Sequence, residues 1–271
     1  MIKKLIILIL AMILIVPGVI FAEKEGNGGN DWGEDEIKIV SVGDSIATGY
    51  VTDKHTTMAY PYRLDKFLRG PFKVNFEDWG ITGLSFADLL QGNINLTNET
   101  APDPEFALMV QDLKEADIIT VSILGNDLLE IALRYAADYP NVDMVGLNNE
   151  VGLLMTTLES NWLLSFEWLN QNTSAEVYVL NIYNPLRGDV HGYLYLAVDE
   201  IISNINTIID YHSYGRYTVI DIYTAFEEYK ASGDKVTYFY SKRLPMNPHP
   251  TQEGQNIMFD LFKSAMESGS Y

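Results

Sequence analysis

Residues 37–49 read IKIVSVGDSIATG, and this stretch decides how the rest of the chain is read. The β-branched run Ile37–Val40 suits a buried strand, and Gly43, Asp44 and Ser45 follow it directly. Gly, Asp and Ser are turn residues, so one reading is an ordinary loop at a strand end. The other is a nucleophile carried on a strand-to-helix corner, with Asp44 and Ser45 as the candidate reactive groups.

Working outward, four more apolar runs have the length and composition of buried strands: FKVNFE (72–77), ADIITVSI (116–123), AEVYVLNIY (175–183) and RYTVIDIY (216–223). Between them, apolar residues recur at helical spacing over 58–70, 85–92, 105–114, 127–139 and 193–212. A further helix is predicted over 251–268, with Thr251 as its N-cap. The stretch 140–170 fits one long helix or two. Alternating strands and helices predict an α/β fold, a three-layer α/β/α sandwich around a mostly parallel five-stranded sheet. In such folds reactive groups gather beyond the carboxyl ends of the strands.

The composition agrees with one large domain. Of 271 residues 47% are hydrophobic, and the 10 Pro and 20 Gly are scattered rather than clustered. The division expected is a signal peptide or N-terminal anchor over 1–22, a flexible Gly-rich lead-in over 23–36 and a single domain over 37–271. Lys3 and Lys4 precede an apolar run that Pro17 and Gly18 break, and Ala22 offers a small residue for cleavage. Ile20 is larger than the usual residue at its position, which keeps an uncleaved anchor as the alternative. Either way the rest of the chain is expected outside the cell, with no stable membrane insertion once the segment is removed.

The net charge of −19 disfavours nucleic acid and anionic membranes, because phosphate binding needs a basic face. The chain has no Cys, so no disulfide staples the exported fold. No His, Asp or Glu cluster has metal-ligand spacing, so neither metal nor cofactor is implied.

The predicted strand ends carry a set of chemically coherent residues. The first ends in Gly43-Asp44-Ser45. The second runs into DWGITGLS (78–85), with Gly80 and Gly83 in the loop, and the third into ILGND (123–127), with Asn126 and Asp127. His249 stands in MNPHPTQEG (246–254), just before the final helix. Ser, Gly, Asn and His in this order resemble the SGNH, or GDSL-type, hydrolases, a family of lipases and esterases with a flavodoxin-like fold. The resemblance spans roughly residues 37–265. It implies a secreted serine esterase acting on a small ester, a lipid or an acetylated glycan, with no cofactor and as a monomer. It also implies roles: Ser45 as nucleophile and His249 as general base. The oxyanion hole would be built from the Ser45 and Gly80 amides and the Asn126 side chain.

Two positions depart from the family pattern. Met246 stands where an acid is expected three residues before His249, and Leu124 stands where a Gly opens the third motif. The acid normally fixes the His tautomer and stabilises the imidazolium. A neutral acceptor such as the Asn247 side chain, or a displaced carboxylate such as Glu253 or Asp234, would replace it; otherwise the chain is a silent relative that binds without turnover. A carbohydrate O-acetylesterase is the alternative enzyme.

Other residues have plainer readings. Asp44 and Asp127 are expected to brace their loops, and Asn126 alone would read as the cap of a helix starting at Asp127. Asp199, Glu200, Glu227 and Glu228 read as solvated helical charges. His55, His191 and His212 lack motif context, and Tyr50, Tyr183 and Tyr193 read first as packing. The sequons at Asn95, Asn98 and Asn172 are expected to be incidental.

Overall fold

The computed structural model describes residues 36–51, 54–94, 102–136, 143–237 and 247–268. The N-terminal segment 1–22, Met246, and the sequons at Asn95 and Asn98 lie outside them. Five strands form one sheet in the order β4-β1-β5-β6-β7: β1 (Glu36–Gly43), β4 (Lys73–Gly80), β5 (Ile118–Ser122), β6 (Glu176–Leu180) and β7 (Thr218–Ile220). Every pairing between them is parallel. A two-stranded antiparallel ribbon, β2 (Tyr50–Val51) with β3 (Lys54–His55), follows the first strand.

The α/β layering follows from side-chain alternation. Successive residues of a strand point to opposite faces, so Ile39 and Val40 enter different cores. One core gathers Val40, Val42, Ile119, Val121, Val177 and Val179 under Met109 of α3 (Pro104–Glu115) and Trp162 and Phe166 of α5 (Met144–Asn172). The other sets Ile39, Ile118 and Leu180 against Leu64 of α1 (Tyr60–Leu68), Phe226 of α8 (Ile222–Ala231) and Phe262 of α9 (Gln252–Ser268). Strands covered on both faces read as continuous apolar runs.

The described part of the ambiguous stretch belongs to one helix of 29 residues, Met144–Asn172, whose buried Leu158, Trp162, Phe166 and Leu169 run from its midpoint onward. Glu36, assigned from sequence to the lead-in, is the first residue of β1. The run at 216–223 gives only the three-residue β7, because the Asp221 carboxylate accepts from Thr224 N–H and starts α8. Among the described residues no helix is long and apolar enough to cross a membrane.

Candidate active site

The loop after β1 is fixed from three sides. Gly43 lies at φ 149°, and a Cβ there would fall 1.8 Å from the Ser122 carbonyl oxygen, so only glycine fits. Asp44 N–H donates to that same carbonyl at 2.9 Å, and Ile81 N–H donates to Gly43 O at 2.8 Å. The Asp44 carboxylate accepts from Ile46 N–H at 2.9 Å, while Ser45 O accepts from Tyr50 N–H at 2.9 Å and from the Thr48 hydroxyl at 2.9 Å. The outcome is a tight corner with Ser45 7% exposed.

The second loop leans on the third. Asp127, in the first turn of α4 (Gly125–Ala136), accepts from Phe86 N–H at 2.9 Å and Ala87 N–H at 3.4 Å. Those amides open α2 (Phe86–Leu90), where a carboxylate also meets the positive end of the helix. Asn126 Nδ2 donates to Leu84 O at 2.9 Å. The helix begins at Gly125, so Asn126 is inside its first turn and is not the cap expected from sequence. Leu124, in the place of the family's glycine, has φ 93° and is fully buried. Such a backbone for a branched residue costs roughly 1–3 kcal/mol, and its apolar burial offsets part of that.

Gly80 N–H donates to Asp78 Oδ1 at 2.9 Å. A Cβ at Gly80 would come 2.6 Å from Thr48 N, so the glycine lets this loop approach the loop after β1. Gly83, three residues on, has φ 87°, and neither its N–H nor that of Ser45 has an acceptor among the described residues. The sequence placed both glycines in this loop; only the Asp78 hydrogen bond separates their tasks.

The histidine comes from residues 247–251. Pro250 forms an isolated antiparallel bridge with Thr237, Thr251 N–H donates to Val236 O at 2.9 Å, and the Tyr183 hydroxyl donates to Pro248 O at 2.8 Å. Thr251 caps α9 as expected, its hydroxyl accepting from Gly254 N–H at 3.2 Å. His249 Nε2 then lies 2.8 Å from Ser45 Oγ. Its Nδ1 lies 2.6 Å from Asn247 Oδ1, which also accepts from His249 N–H at 2.9 Å. A carbonyl oxygen only accepts, so Nδ1 carries the proton and Nε2 presents its lone pair to the serine hydroxyl.

The displaced-acid alternatives lie elsewhere. Asp234 accepts from the Ser232 hydroxyl, and Glu253 from Asn256 Nδ2. Burial pulls the His249 pKa down to about 4. Burial pushes Asp44 up to about 7, with the nearby Asp127 charge adding to it, and pushes Asp127 up to about 6.

Three aromatic or charged groups have partners that their plain readings did not foresee. The Tyr50 ring lies 4.8 Å from the His249 ring, centroid to centroid, and makes a T-shaped contact with His55 at 5.0 Å. Glu227 is not a solvated charge: it pairs with buried Lys230 at 2.7 Å and accepts from the Tyr195 hydroxyl at 2.8 Å. Asp199 accepts from Asn184 and Tyr223. The Glu227–Lys230 pair has the i, i+3 spacing of one helix, but the contacts of Glu227 with Tyr195 and of Asp199 with Tyr223 depend on how α8 packs. Among the described residues no three His, Cys, Asp or Glu side chains are grouped to hold a metal.

This layout matches known structures. A lipase from a goat rumen metagenome is 20% identical, covers 84% of this chain and 97% of its own, and superposes with a TM-score of 0.61. A member of the lipolytic G-D-S-L family from Veillonella parvula is 19% identical, with 84% and 97% covered and a TM-score of 0.51. An acetylxylan esterase from Geobacillus stearothermophilus is 16% identical, with 84% and 93% covered and a TM-score of 0.53. No protein-family profile matches the sequence, and no curated protein matches it. The chain has the α/β fold of the SGNH hydrolases.

Proposed function

We propose that the chain is an exported serine esterase that hydrolyses carboxylic esters through an acyl-enzyme on Ser45. The observation that carries this reading is the 2.8 Å contact between His249 Nε2 and Ser45 Oγ, with Nδ1 already committed to Asn247. A nucleophile and base within hydrogen-bond reach, the base oriented by a third group, are the parts acyl transfer needs. That the pair is assembled speaks against a silent binding relative.

The steps follow from the geometry. Ser45 Oγ attacks the ester carbonyl carbon while its proton passes to His249 Nε2, and the carbonyl π pair moves to oxygen. Three donors serve that oxyanion: the N–H groups of Ser45 and Gly83, and the Asn126 Nδ2 hydrogen not used by Leu84 O. Each is held before reaction begins, so stabilising the charge needs little reorganisation. His249 then returns the proton to the leaving alcohol. Water repeats the sequence in reverse to free the acid.

The substrate is an uncharged or weakly charged ester outside the cell, since a chain of net charge −19 repels anionic surfaces. Proteins of similar fold include a lipase and an acetylxylan esterase, so both a lipid ester and an acetylated glycan are candidates. Hydrolysis of a chromogenic ester series from acetate to octanoate tests the proposal. Wild type turns over at least one ester, and Ser45→Ala loses at least 10³-fold of that rate, by the roughly 10³–10⁶-fold cost of deleting such a nucleophile. Equal turnover by the two proteins overturns the reading. Acetate preference with no octanoate activity selects the O-acetylesterase.

A further inference from the structure

The acyl-transfer reading leaves one charge without an obvious partner. When Ser45 gives its proton to Nε2, the ring of His249 becomes a cation with protons on both nitrogens. In a Ser-His-Asp arrangement a carboxylate at Nδ1 stabilises that cation. Here Nδ1 meets the amide oxygen of Asn247, which orients the ring but carries no charge. Among the described residues no carboxylate bonds to the imidazole. The ring is also buried, which opposes its protonation.

One group in contact with the imidazole fits a cation. Tyr50 lies with its centroid 4.8 Å from that of His249 and the two planes inclined by 39°, an approach within the range of cation–π attraction. Its backbone is tied to the nucleophile loop, N–H to Ser45 O at 2.9 Å, and its carbonyl accepts from Gln255 Nε2 of α9 at 3.4 Å. It also makes a T-shaped contact with His55, its cross-strand partner in the β2–β3 ribbon. Tyr50 is therefore anchored to the elements that bear Ser45 and His249.

We infer that Tyr50 supplies, through the face of its ring, the stabilisation of the His249 imidazolium that a triad carboxylate would supply, while Asn247 only orients it. This rests on the acyl-transfer reading. Tyr50 is a positioning residue: it acts on the reacting atoms through the imidazole and forms no bond to the substrate. The titratable groups on the segments packed about the ring are Asp44 beside Ser45, Tyr50 and His55 in the ribbon, and Tyr183, whose hydroxyl donates to Pro248 O, while Glu253 of α9 is exposed and bonds to Asn256.

The test measures kcat and KM across pH for acetate hydrolysis, with active sites counted by fluorophosphonate labelling of Ser45. Tyr50→Phe keeps the ring and stays within about two-fold of wild type. Tyr50→Leu lowers kcat about 3- to 30-fold at unchanged KM, the range a cation–π contact allows, and moves the acid limb of kcat to lower pH. Asn247→Asp raises kcat and moves that limb up, and in its background Tyr50→Leu costs less than in wild type. Should Tyr50→Leu fold poorly, successively fluorinated phenylalanines at position 50 keep the shape while weakening the ring's negative face, and kcat falls stepwise. Equal cost of Tyr50→Leu in both Asn247 backgrounds, no cost at all, or no response to fluorination overturns the inference. Equal turnover by Ser45→Ala and wild type overturns the esterase reading instead, so the two failures are separate.

Discussion

Ser45 stands among backbone amides and buried carboxylates; His249 stands among rings and uncharged oxygens. The loop after β1 is held by the Ser122, Gly43 and Asp44 hydrogen bonds and by a glycine whose hydrogen touches the neighbouring strand. The histidine segment hangs from Tyr183, Thr237 and Val236 and takes its orientation from an amide. The difference teaches that this fold builds the proposed nucleophile corner into the sheet, where changes cost stability. The proposed base is added on a separate segment, where changes are expected to alter the chemistry and leave the core alone.

That contrast is broken most severely at Gly43. Gly43→Ala drives a methyl group into the Ser122 carbonyl and is expected to cost roughly 3 kcal/mol or more, lowering Tm by about 6–12 °C in a thermal melt. Asn126→Ala comes next: it removes a proposed oxyanion donor and should lower kcat by about 10²–10³-fold while the fold survives, seen as a Tm within a few degrees of wild type. An unchanged kcat would dismiss the Asn126 role.

The smallest effect is one of pH. The folded-state pKa of Asp44 is raised to about 7, above its ordinary value, so folding favours the protonated acid. Its contribution to stability is complete below about pH 4 and is lost as pH climbs through 7. Asp44→Asn keeps an oxygen for Ile46 N–H and removes that titration. The Tm of Asp44→Asn relative to wild type therefore rises between pH 5 and pH 8. His249 works in the opposite sense, its lowered pKa withdrawing stability as pH falls from about 6.5 to 4, but it is common to both proteins and cancels in the difference.

The sheet was legible in the sequence because parallel strands buried on both faces must be β-branched runs such as IKIV and IITV. The β2–β3 ribbon was not, since two-residue strands carry no period. Ser45, Asn126, Asn247 and His249 were each named from the sequence, and the structure brings Ser45, His249 and Asn247 into one hydrogen-bonded line. Of the two glycines the sequence reading named Gly80, because nothing local to the sequence shows that its N–H donates to the Asp78 carboxylate. Tyr50 escaped notice for a related reason: an aromatic residue after a turn looks like packing until the ring it faces is known.

The contact between His249 and Ser45 joins positions 204 residues apart, and α9, which follows His249, packs against α1, which follows the ribbon. Reactivity is thus a property of a closed long loop and of no shorter fragment. An unfolded chain holds Ser45 without His249 beside it, and the proposed hydrolysis begins only when the fold has closed the circuit between them.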